Sequence, residues 1–177
     1  MFIVEESNSI LVYDKTGRLV HKSIGIVQYK KFNEESMVVI TKDSVEFISQ
    51  IKQKDRYDIT VVSDTKFVSA MIYKGLVFIQ RKTGIPILDV YDSRFINVLR
   101  LYQNTKGEWV HFVFKFGIPF KAIVPTHING RLLYGTRKGK PCMSDLERRD
   151  FRNIKLPKEK GIPLQDAINN FKVGGKG

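Results

Sequence analysis

Eleven side chains of this 177-residue sequence have the chemistry to hold a polyanion. Eight are cations of the last third: Arg131, Arg137, Lys138, Lys140, Arg148, Arg149, Arg152 and Lys155. Each guanidinium or ammonium that neutralises a phosphate releases a counterion, so such a set gives salt-dependent affinity with little sequence preference. The other three, Trp109, His111 and Lys115, alternate along "EWVHFVFKF". On one face of a strand they would offer two π surfaces for base stacking and one charge; the favoured alternative is a second core face, since aromatic side chains bury large areas wherever they can. The opposite face, Val110, Phe112, Phe114 and Phe116, reads as core. The basic-aromatic pattern of RNA-recognition strands is not met, because Glu108 stands where an aromatic is required.

Charge distribution points the same way. The formal net charge is +12; residues 121–177 hold 13 Lys and Arg against 5 Asp and Glu, a net of +8. Such asymmetry attracts nucleic acid first, then anionic membrane or acidic protein surfaces. The expected function is non-enzymatic nucleic-acid binding through this basic surface. One alternative is an assembly or accessory component, of viral or mobile-element type, docking an acidic partner. A second is a metal-dependent nuclease using Asp89, Asp92 and Glu108 with Lys115 or Lys121, two metal ions clamping a phosphate.

Other chemistries lack their constellations. Gly130 and Gly135 have the spacing of a nucleotide phosphate loop, but Thr136 occupies the lysine position and Pro141 follows Gly139-Lys140. Cys142 is the sole cysteine, with no histidine beside it in sequence and no second thiol for a metal pair. His21, His111 and His127 have no ligand spacing. No cofactor is expected. The N-terminus lacks a basic region before a long apolar one, and no apolar run nears the ~20 residues of a membrane span. An intracellular protein without a membrane partner is expected.

These side chains need a scaffold, and the composition leans to sheet. There are 19 Ile and 17 Val against 11 Leu and 3 Ala, and branched side chains suit a pleated surface better than a helix. Alternating runs flank Asp14-Lys15-Thr16-Gly17, Lys42-Asp43-Ser44, Arg81-Lys82-Thr83-Gly84 and Asn104-Thr105-Lys106-Gly107, which read as hairpin turns. "DTKFVSAMIYKG" and "DSRFINVLRLYQ" fit either a strand or a short helix begun by its Asp. The fold expected is mainly β, antiparallel hairpins in a sandwich or barrel-like sheet, with one or two short C-terminal helices; α+β is the alternative. Residues 1–135 would form the core domain and 136–177 a basic extension. In that extension Ser144 and Glu147 match a capping box, predicting a helix over "MSDLERRDFRNI". Arg148 and Arg152 would share one of its faces, and a second helix would follow Pro163.

Overall fold

The computed structural model describes residues 1–51, 56–62, 67–82, 84–148, 150–155 and 159–171; side chains are not described at 62, 67–68, 113–115, 118–122 and 150. The chain is mainly β, with 17 antiparallel strands and one short helix among the described residues. No helix among them is long and apolar enough to cross a membrane.

Three sheets follow one another along the chain. The first holds β1 (Phe2–Glu6), β2 (Ser9–Tyr13) and β3 (Leu19–Ile24). The second holds β4 (Ile26–Asn33), β5 (Ser36–Thr41), β6 (Val45–Ile51) and β7 (Arg56–Val62). The third runs as a meander through β8 (Phe67–Tyr73), β9 (Leu76–Lys82), β10 (Pro86–Tyr91), β11 (Asn97–Gln103), β12 (Trp109–Lys115), β13 (Ile118–Asn129), β14 (Leu132–Arg137), β15 (Lys140–Asp145) and β16 (Asp150–Asn153). The two-residue strand β17 (Ile162–Pro163) pairs with β13, and helix α1 (Leu164–Asn169) follows it.

Alternation explains the stacking. Every residue of β5 is buried, which requires cover on both faces. Met37 and Val39 pack with Ile10, Val12 and Ile48 against the first sheet. Val38 and Ile40 pack with Val45, Phe47, Ala70, Ile72, Val77 and Ile79, between the second sheet and the start of the third. The third sheet then curls around a core of its own that includes Phe78, Leu88, Leu101, Trp109, Leu133 and Leu146, with Leu164, Ala167 and Ile168 of α1 closing it. The curl brings the Phe151 ring of edge strand β16 to 5.2 Å from the His111 ring of β12.

Three hairpins share one turn. Asp14, Asp92 and Asn104 each accept, through the side-chain Oδ1, the amide hydrogens two and four residues on, at 2.9–3.1 Å. The fourth residue of each turn is left-handed: Gly17 at φ +83°, Phe95 at +63° and Gly107 at +84°. This is the three-residue hairpin loop closed by a left-handed position. Phe95 takes it without being glycine because its ring lies 4.6 Å from that of Phe47. The second ambiguous segment therefore turns into strand β11, and the first, over its described residues, holds strand β8; its residues 64–66 lie outside the described ones.

The region after residue 135 departs from expectation. The division expected at 135/136 falls inside β14, and β14 to β16 continue the third sheet. The helix expected over 143–154 is a hairpin. Asp145 turns it by accepting the Glu147 amide on Oδ1 at 3.0 Å and the Arg148 amide on its carbonyl at 3.1 Å. Ser144 is a buried strand residue, not a helix cap. The final helix after Pro163 is present as α1.

Candidate nucleic-acid interface

The eight cations separate according to their strand positions. β14 and β15 pair from Leu132↔Asp145 to Arg137↔Lys140, six residues each, about 20 Å at the usual rise per residue. Arg131 and Arg148 lie at one end of that ribbon. Arg137, Lys138 and Lys140 lie at the other, around the Lys138-Gly139 turn.

At the first end the charges are engaged. Arg131 donates through Nε to the Lys74 carbonyl at 2.8 Å and forms an ion pair with Glu147. It thereby ties together the turns after β8, β13 and β15. Arg148 Nε lies 3.8 Å from Asp145 Oδ2. Arg152, on edge strand β16 and paired in register with Met143, is exposed. Arg149 lies outside the described residues, and of Lys115 only the backbone, in β12, is described.

At the other end the charges face solvent. Lys138, in the left-handed region at φ +51°, and Lys140 are exposed. Lys155 is exposed too, and the Ile154 amide donates to the Pro141 carbonyl, setting Lys155 beside Lys140. Arg137 donates to Asn153 Oδ1 at 3.0 Å, a neutral partner that leaves its charge uncompensated. Lys160, which the sequence reading did not single out, lines a small cleft with Thr126, Thr136 and Pro141 and joins this end. Among the described residues no ion pair involves Arg137, Lys138, Lys140, Lys155 or Lys160.

The aromatic assignments change places. Trp109 is 3% exposed within the third-sheet core, and its Nε1 donates to Gln165 Oε1 at 3.1 Å, so the indole is not open to a base. His111 is half-buried, its ring against Phe151 and its Nδ1 3.3 Å from the Arg100 carbonyl oxygen. Phe116, expected in the core, is fully exposed in the Phe116-Gly117 turn at φ +53°. β14 pairs with β13 no further than Val124, whereas β12 pairs with β13 back to Ile118. The β12–β13 ribbon thus runs past the Lys138 turn at the same end of the sheet and carries Phe116 at its tip. No pattern in the sequence marked this position, since alternation alone places Phe116 with Phe112 and Phe114.

The carboxylates of the nuclease alternative are employed elsewhere. Asp89 is wholly buried and accepts from Arg100 Nε at 2.7 Å and Nη2 at 3.1 Å, with Arg81 3.5 Å away. Asp92 closes its turn, and Glu108 accepts from Asn104 Nδ2 at 3.0 Å. Among the described residues no three His, Cys, Asp or Glu side chains are grouped to hold a metal ion. Cys142 is buried, and burial pushes its thiol up despite the nearby Arg137 charge, which disfavours the nucleophilic thiolate. Compared with protein-family models and with curated proteins, the chain matches none.

Proposed function

We propose that this protein binds nucleic acid non-enzymatically through the end of the third sheet formed by Arg137, Lys138, Lys140, Lys155 and Lys160. The observation that carries the reading is that these cations converge on one end without a carboxylate partner among the described residues. Unpaired charge at a turn loses little on meeting a phosphate, because no existing ion pair has to be broken. Phe116, exposed at the neighbouring ribbon tip, supplies a stacking surface that suits an unpaired base. Arg131 drops out of the contact set because Glu147 and the Lys74 carbonyl hold it. Arg148, loosely paired with Asp145, lies at the opposite end of the β14–β15 ribbon.

Titration of labelled single- and double-stranded oligonucleotides over a range of salt tests this. Log affinity should fall with log salt at a slope of about −3.6 to −4.5 for duplex and about −2.8 to −3.5 for single strands, the values for four or five phosphates. Lys138→Glu, Lys140→Glu and Lys155→Glu together should flatten that slope, and Phe116→Ala should weaken single strands more than duplex. Salt-independent or negligible binding would refute the proposal.

A protein-docking role for the first two sheets has its own support. Phe2 and Val4, two apart on edge strand β1, are exposed there and so share an uncovered face, as partners require. Sedimentation of the purified chain over a range of concentrations, with and without Phe2→Ser, separates that role from nucleic-acid binding.

A further inference from the structure

A cleft of about 320 Å3 opens between the Lys74-Gly75 turn end of β8 and β9, the β13–β14 turn, β17 and α1. Its floor is Phe78, Ile128, Leu164 and Ala167, all buried, and Met71 and Phe171 wall it. In a chain of which 27% is charged, none of the described lining side chains carries a charge; the Lys74 ammonium lies 5.8 Å from the Tyr73 ring centroid at the mouth. The polar groups at its rim are the Asn129 and Asn170 amides and the Tyr73 hydroxyl, none with a hydrogen-bond partner among the described residues.

The cleft is held open by the backbone. Gly161 has φ +80°, and a Cβ there would stand 2.1 Å from the Ile128 carbonyl oxygen. The segment entering β17 therefore lies tight on β13 instead of collapsing across the opening. Ile162 and Tyr73 are left about half exposed at the mouth, 48% and 43%. Leaving such apolar surface in water costs about 25 cal/mol for each Å2, so an apolar occupant gains by covering it.

We propose that this cleft binds a small uncharged apolar ligand, with one polar end at Asn129 and Asn170. Volume sets the size class: a dry cavity near 150 Å3 admits benzene, so this one suits about two fused rings or an equivalent aliphatic body. Uncharged lining sets the chemistry, because a charged ligand would be desolvated here without a counter-charge. The cleft shares a segment with the basic end, since Lys160 precedes Gly161, but its apolar lining is its own and the proposal does not rest on the nucleic-acid reading.

The test is fluorescence titration of the full chain with the uncharged probe N-phenyl-1-naphthylamine. Saturable one-to-one binding is expected, unchanged from low to high salt. Ala167→Phe should abolish it by filling the floor. Ile162→Lys, at an exposed position where folding is retained, should weaken it about tenfold or more by putting a charge at the mouth. Non-saturating fluorescence, or wild-type affinity in the folded Ile162→Lys variant, would overturn the proposal. So would a dimer that Ile162→Lys dissociates, which would make a second copy the occupant. Saturable binding seen only after residues 172–177 are removed would assign the cleft to the chain's own terminus and equally overturn it.

Discussion

Arg100 grips Asp89 with two parallel hydrogen bonds, at 2.7 and 3.1 Å, between the neighbouring strands β10 and β11. The hydrogen bond to Asp89 raises the Arg100 pKa further above its ordinary value, against the opposing effect of burial. The carboxylate is wholly buried, while the Arg100 side chain is 43% exposed. The two partners are therefore unequal. Arg100→Ala leaves a buried carboxylate with, among the described residues, Arg81 at 3.5 Å as its remaining cation, a cost of about 3–5 kcal/mol. Asp89→Ala frees arginines that can turn to water, so it should cost less. Urea unfolding of both variants checks the order; a costlier Asp89→Ala would contradict it.

Arg131 separates architecture from binding. Its bonds to Lys74 and Glu147 hold three turns together, so Arg131→Ala should lower stability by about 1–3 kcal/mol. The salt slope for oligonucleotide binding should stay the same. Lys138→Glu with Lys140→Glu should do the reverse, flattening the slope with little change in melting temperature.

Glu46 gives the protein an acid-sensitive seam. Burial pushes its carboxyl up, but hydrogen bonds from His21, Ser23 and Ser44, at 2.5, 2.6 and 3.0 Å, outweigh burial and hold it below 4.5, the ordinary value. A depressed folded-state pKa contributes stability that is present above the unfolded value and lost as pH falls through the folded one. Because His21 and Ser23 belong to β3 and Glu46 to β6, that loss loosens the first sheet from the second. Denaturation midpoints should decline as pH drops below about 4.5, and Glu46→Gln should make that decline shallower.

Gly135 is fixed by crowding. It faces the irregular register at Pro125 and His127, where a Cβ would stand 2.2 Å from the Val124 carbonyl oxygen. All three nearest atoms belong to the backbone and cannot rotate away. Gly135→Ala should cost about 3 kcal/mol or more. Gly17→Ala, with open space around it and only its φ of +83° against it, should cost about 1–2 kcal/mol. Thermal unfolding ranks the two.

Which turns exist was legible wherever a single residue type does the work. Asp14 and Asn104 bond to their own following amides, and Gly17 and Gly107 take the left-handed position, so the pattern is local and visible. Asp92 performs the same chemistry, but Phe95 replaces the glycine. The turn was hidden because what stabilises Phe95 is the Phe47 ring, 48 residues away in sequence. At Asp145 the difficulty is deeper. An Asp that bonds to the amides ahead of it starts a helix or turns a hairpin equally well, and the choice depends on whether a strand stands ready to pair. The edge of β14 supplies that strand.

By itself the sequence determined a branched, alternating chain that must form sheets, and a basic last third. Both are additive properties of individual residues. Only the tertiary structure decided that Phe116 is exposed while Phe112 stays half-buried, and that Arg131 is bound while Lys138 has no ion-pair partner among the described residues. Those outcomes depend on which surfaces the curl of the third sheet brings together, and no residue carries that information alone.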